Sequence, residues 1–197
     1  MAQIKDAHTG KWDRGSDGIH LHYDTKKYLR EGKKLAASLL ESIESTTLYF
    51  DDLDIGDRFV SSGRTVTESD IVTFAGLSGD FNSLHMDAEF AATTPHGQRI
   101  AHGLLVLAIT SGLSTRMPIM KLIEKAILGL AGLECKWVKP TGIGDTLHVV
   151  LEILAKEPGK KPDRGTLVMK RSAVNQRGDT VMESVWRLVL KNKGGAA

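Results

Sequence analysis

The run IAHGLLVLAITSGL, residues 100–113, is apolar on nearly every side of a helical wheel. A helix with no polar face must be covered all round. At 1.5 Å per residue it is about 20 Å long, so the rest of the chain has to supply a wall of comparable length. The downstream sequence is built for that. In TLHVVLEILAKE (146–157), Leu147, Val149, Leu151 and Ile153 alternate onto one face, the period of a strand with one buried side. AILGLAGLECKWV (126–138) reads as a further strand, closed by the turn KPTGIGD, and TLVMKRSAVN (166–175) with TVMESVWRLVL (180–190) flank the turn QRGD as a hairpin.

Upstream, Gly56-Asp57 marks a turn and RFVSSGRTV (58–66) reads as a strand. Thr67 or Ser69 is placed to cap a helix through ESDIVTFAGLSG, carrying Ile71, Phe74 and Ala75 and stopping at Gly79. A loop and a short helix, DAEFAAT, follow over Asp80 to Ala92, and TTPHGQR is a loop before the apolar run. One strand, two helices and four strands predict an α+β domain, an antiparallel sheet curled around one long buried helix.

That domain is expected over residues 49–192, with a short tail at 193–197 and an extension at 1–48. Residues 1–25 are polar and read as an irregular arm. In KKYLREGKKLAASLLESIE (26–44), Leu29, Ala36, Leu39, Leu40 and Ile43 recur at helix spacing. Its cationic side is of a kind that touches anionic membranes, but Gly32 and a weak apolar face favour a solvated helix packed on the body or on a sister subunit. Of the 197 residues 41% are hydrophobic and 25% charged, and no run of about 18 apolar residues encodes a membrane span. The first residues lack the apolar core of a secretory signal, and Asp6, Asp13 and Asp17 argue against a mitochondrial presequence. The single cysteine, Cys135, excludes an internal disulfide and fits a reducing, cytoplasmic setting. A net charge of +2 from scattered Lys and Arg does not call for nucleic acid.

LSGDFNSLH (77–85) concentrates Asp80, Asn82 and His85 where the helix breaks. Asp and Asn satisfy loop N–H groups routinely, so the three residues have a purely structural reading. The competing reading comes from Gly103, which opens the apolar helix. The first N–H groups of a helix lack intrahelical partners and favour negative charge, and glycine lets a ligand approach the backbone closely. A carboxylate, an imidazole and a helix N-terminus together can activate water and stabilise an oxyanion.

The pattern F-x-x-L-S-G-D-x-N-x-L-H-x-x-x-x-x-A, from Phe74 through Ala91, resembles the hydratase-2 signature of the MaoC-like (R)-specific enoyl-CoA hydratases. IAHGLL and WVKPTGIGDTL (137–147) are similar to that family as well, and the resemblance runs over about residues 50–192. Ser83 departs from it, standing where the family usually has proline; the change loosens the loop without removing a chemical group. The resemblance implies a hot-dog fold with its long helix at 103–115, and reversible syn hydration of trans-2-enoyl-CoA to (R)-3-hydroxyacyl-CoA. It implies Asp80 and His85 as the acid–base pair, the Gly103 N–H on the thioester oxygen, Asn82 as an orienting residue and Ser111 lining the site. It further implies an acyl-CoA substrate with no metal or other cofactor, coenzyme A entering as part of the substrate. The expected assembly is a homodimer or dimer of dimers, clamped in part by the 26–44 helix, with no nucleic-acid or membrane partner. A hot-dog thioesterase and a non-catalytic acyl-CoA binding module are the alternatives.

The remaining candidates have plainer readings. His102 beside Gly103 and His96 in the preceding loop suit structural or pocket-lining roles. His20 and His22 have a metal-like spacing but lie in the polar arm. Cys135, Trp137 and Trp186 read as sheet or interface residues, and Arg99, Lys136 and Lys139 are position-based candidates for the CoA phosphates.

Overall fold

A computed structural model describes residues 25–194. The N-terminal arm, with His20 and His22, and the last three residues lie outside the described residues. Two compact units divide the chain, Met1–Glu44 and Ser45–Ala197. In the first, the expected helix is present as α1, Thr25–Ser45. Its described side chains face solvent, including Leu29, Leu35, Leu39 and Leu40.

The second unit runs β1 (Arg58–Val60), β2 (Arg64–Thr65), α2 (Glu68–Ser78), α3 (Ser83–Met86), α4 (Ala88–Ala92), α5 (Gly103–Thr115), α6 (Pro118–Ile123), β3 (Ile127–Trp137), β4 (Thr146–Pro158), β5 (Arg164–Val174) and β6 (Thr180–Lys191). The strands form an antiparallel sheet in the order β1-β4-β5-β6-β3, with β2 also on β4. The alternation expected in β4 is realised: Leu147, Val149, Leu151 and Ile153 are at most 2% exposed and join the core that holds Leu105, Val106, Ile109 and Leu113 of α5. The β5–β6 hairpin turns at Asn175, whose side-chain oxygen accepts from the N–H groups of Arg177 and Asp179 at 3.0 Å, with Gly178 at φ 81°.

The structure departs from the sequence reading in three places. The single strand expected at 58–66 is two short strands. Ser61 breaks it: its N–H still reaches the Val149 carbonyl, but its hydroxyl rather than its carbonyl receives the Val149 N–H. A side chain thus replaces the backbone ladder at that point. α3 and α6 are additional helices, the first in a segment read as loop and the second between the apolar helix and the strand expected from 126; Ile119, Met120 and Ile123 of α6 are buried. Finally, α5 is not covered all round. Leu105, Val106, Ile109, Thr110, Leu113 and Ser114 are buried, but Leu104 is 59% exposed and Ala108 and Gly112 face outward. The sheet covers one side of the helix, and a groove of about 500 Å³ follows the other, lined by Leu105, Ala108, Ile109, Gly112 and Thr115 with Arg64 and Arg116.

The edge of the sheet at β3 is uncapped among the described residues. β3 pairs only with β6, and Leu128, Leu130, Leu133 and Trp137 are 39–48% exposed along it.

Candidate active site

The path to the site starts with α2. Thr67 caps it through a reciprocal box with Asp70, and Gly79 ends it in the left-handed conformation, φ 76°, its N–H on the Ala75 carbonyl at 2.8 Å. Only glycine takes that conformation without penalty, so the chain turns sharply and delivers Asp80 next. Asp80 is exposed. Its N–H reaches the Ser78 hydroxyl at 3.2 Å, and its Oδ1 accepts the Asn82 N–H at 3.3 Å.

Asn82 caps α3, its Oδ1 accepting from the Leu84 N–H at 2.9 Å. That short helix carries His85. The His85 Nδ1 lies 2.8 Å from the Ile100 carbonyl; a carbonyl only accepts, so Nδ1 is the donor and Nε2 is left for chemistry. Asn82 therefore acts at one remove, by fixing the helix that presents the imidazole.

His102 completes the cluster. It occupies the position before α5 and is 2% exposed. Its Nε2 donates to the main-chain oxygen of Asp80 at 2.9 Å, and its ring lies against His85 with centroids 3.8 Å apart and planes inclined by 32°. Phe74 of α2 packs on its other neighbourhood at 5.1 Å. The Nδ1 of His102 is buried without a hydrogen-bond partner. One ligating atom from each of Asp80, His85 and His102 lies within 4.8 Å of the others.

Gly103 follows as the first residue of α5. Its carbonyl accepts from the Trp137 indole N–H at 2.8 Å, and a Cβ at Gly103 would stand 2.8 Å from the Trp137 ring. The glycine is thus required by a protein side chain. Ser111 is separate from this cluster: it is half-buried, eight residues further along α5, or roughly 12 Å at 1.5 Å per residue.

Of the sequence candidates, the fold brings Asp80, Asn82, His85 and Gly103 to one place and adds His102 and Trp137, which the sequence reading left as structural. The available signal for His102 was a histidine set directly before a helix-opening glycine in an otherwise apolar run. For Trp137 there was none, since its partner is distant in sequence. Two of the basic residues considered for phosphate binding are engaged in ion pairs: Arg99 with Glu68 at 2.5 Å and Lys139 with Asp179 at 2.6 Å. His96 is exposed in its loop. Cys135 is half-buried on β3, and burial pushes its thiol up, away from a reactive thiolate. Trp186 is in the core, its N–H on the Ser184 hydroxyl at 2.8 Å and the buried Arg171 guanidinium 4.0 Å over its ring.

Asp145 anchors the loop before β4, its Oδ2 accepting from the Gly142 N–H at 2.9 Å. Burial pushes its carboxyl up, but the Gly142 N–H, Arg177 and Gln176 outweigh that and hold it below the ordinary aspartate range. The Thr141 carbonyl in this loop receives the Ala101 N–H at 2.8 Å, so the loop braces the approach to α5.

Comparison with known proteins agrees with this architecture. Residues 54–175 match the family model of the MaoC like domain. The chain is 33% identical over 147 residues to an (R)-specific enoyl-CoA hydratase of Rhodospirillum rubrum, covering 74% of this chain and 94% of that protein. It is 37% identical over 103 residues to Protein MaoC of Klebsiella aerogenes, covering 52% of this chain but only 30% of that longer protein. The crystal structure of a MaoC-like dehydratase from Rhodospirillum rubrum superposes with a TM-score of 0.67 at 35% identity, over 74% of this chain and 98% of that one. With sheet, central helix and family match in agreement, the chain belongs to the MaoC-like dehydratase family and has its hot-dog fold.

Proposed function

We propose that this chain catalyses the reversible hydration of a trans-2-enoyl-CoA to the (R)-3-hydroxyacyl-CoA, with Asp80 and His85 as its acid–base pair. The observation that carries the reading is the meeting of the Asp80 carboxylate and the His85 imidazole at the N-terminus of α5. The name of the Rhodospirillum rubrum relative supports the substrate class.

Hydration adds the water oxygen to C3 and a proton to C2 of the enoyl thioester. One member of the pair accepts the proton that the water loses and the other delivers a proton to C2, so the pair is restored with its proton redistributed. Negative charge develops on the thioester oxygen as the water adds. The Gly103 N–H, with no intrahelical partner at the first position of the helix, lies where such a charge is favoured. His85 works through Nε2, because its Nδ1 is committed to Ile100. Asn82 holds α3 and hence the imidazole in place. The acyl chain follows the open side of α5, past Ser111 and the apolar groove. The scheme uses no metal or redox cofactor; coenzyme A is the carrier of the substrate. A protein acting on CoA esters with one unpaired cysteine suits the reducing cytoplasm.

We further propose a homodimer formed through β3. An eleven-residue edge carrying Leu128, Leu130, Leu133 and Trp137 in partial exposure is an aggregation hazard unless a second copy pairs with it. Trp137 joins that edge to Gly103, so the interface would adjoin the site.

The test is incubation with crotonyl-CoA while following the enoyl absorbance, with a thiol reagent in parallel. Loss of enoyl signal without free thiol, and an (R) product, is the expected result. Release of free thiol would instead identify a thioesterase. An unchanged absorbance across a panel of longer and branched enoyl-CoAs would leave a binding module.

A further inference from the structure

Resting on the reading above, we propose that His102 is a positioning residue that locks Asp80, His85 and Gly103 into one frame, its Nε2 proton fixing the Asp80 main chain and its ring fixing His85.

Asp80 needs such a support. It sits in the short link between α2 and α3 and is exposed, and its two local hydrogen bonds are long, at 3.2 and 3.3 Å. The contact from His102 is shorter, 2.9 Å, and comes from a separate element. A carboxylate's direction follows from its backbone, so a donor anchored on the central helix sets where the Asp80 side chain points. His102 is well suited to anchor it. It is 2% exposed, stands one residue before Gly103, and is packed against Phe74 and His85. The same ring therefore meets the carboxylate-bearing residue, the imidazole and the helix start that supplies the oxyanion donor. Reacting groups held by rigid, buried neighbours keep the sub-ångström placement that such a reaction needs.

The unpartnered Nδ1 strengthens the case. A buried ring nitrogen without a partner is a cost that an apolar side chain of the same size would avoid. If the ring were there only to fill space, phenylalanine would serve as well. What phenylalanine lacks is the Nε2 proton.

The experiment compares His102→Phe, His102→Gln and His102→Asn in the full chain. Glutamine places an N–H the same number of bonds from Cβ as Nε2, asparagine places one at the Nδ1 distance, and phenylalanine keeps the ring alone. The expected order of kcat is wild type, then Gln, then Asn and Phe together, with Phe reduced roughly tenfold or more and KM little changed. A space-filling role gives the reverse order, Phe above Gln, and would overturn the proposal. Amide hydrogen exchange over residues 79–85 supplies a readout that needs no turnover: His102→Phe is expected to speed exchange in this segment while leaving β4–β6 unchanged. Equal exchange in the two proteins would overturn the positioning role even in an active enzyme. Conversely, faster exchange in a chain that hydrates no enoyl-CoA would retain the tether and dismiss the hydratase reading. In wild-type protein, 15N spectra should show His102 protonated at Nε2; a proton on Nδ1 instead would also refute it.

Discussion

The Trp137 indole donates its N–H to the Gly103 carbonyl at 2.8 Å, joining the edge strand β3 to the first residue of α5. The contact leaves no room for a side chain at residue 103, because a Cβ there would meet the indole at 2.8 Å. Gly103→Ala is therefore expected to push the indole aside and break the bond. Overpacking of this kind costs about 1–3 kcal/mol, whereas Trp137→Phe, which removes only the donor and part of the ring, should cost about 1 kcal/mol. Thermal melts of both variants check the order. Equal stability of Gly103→Ala and wild type would show that the contact is not maintained in solution.

Asp80→Asn and His85→Gln keep shape but remove the ability to exchange protons at the assigned atoms. Each is expected to lower kcat by about 10² or more. The melting temperature of Asp80→Asn should stay close to that of wild type because the carboxylate is exposed, while His85→Gln also gives up the half-buried ring's bond to the Ile100 carbonyl and should melt somewhat lower. Near-normal turnover by either variant would show that the pair is misassigned.

Asp145 gives a prediction for stability against pH. Its folded-state carboxyl is held below the ordinary aspartate value of 3.8. A depressed carboxyl contributes stability above the unfolded value, and the contribution is lost as pH falls through the folded one. Asp145→Asn should thus destabilise the protein at neutral pH by on the order of 2 kcal/mol, the range for hydrogen bonds to a charged group. The gap between variant and wild type should narrow as the pH is taken below about 4. Melting curves at both pH values decide it: a gap that persists in acid would mean that the ionised carboxylate is not the stabilising species.

The proposed β3 interface is open to a surface substitution. Leu130 is 48% exposed in the single chain, so Leu130→Lys should leave the fold intact while placing a charge in the pairing edge. Sedimentation is expected to show a dimeric wild type and a lighter variant. An unchanged mass would move the interface elsewhere. Removing residues 1–44, which leaves the Leu48 N–H on the Leu122 carbonyl in place, tests the expectation that α1 clamps the assembly; the expected result is a less stable or smaller oligomer, and an unaffected one would dismiss the clamp.

Much of this protein is local in origin. The β4 alternation, the Asn175 and Gly178 turn, the Thr67 cap and the Gly79 stop each depend on residues a few positions apart, so periodicity and turn chemistry were enough to place them. The same holds for Asp80, Asn82 and His85, which lie within six residues and carry a long signature. Tertiary structure decided the rest. That one side of α5 stays uncovered follows from how far the sheet wraps, which no periodicity in an all-apolar helix can encode. Ser61 breaking its strand depends on Val149 across the sheet. The partnerships of His102 with Asp80 and of Trp137 with Gly103 join residues 22 and 34 positions apart. In the last three a polar group is paired through the fold, and sequence spacing carries no record of which distant partner it will meet.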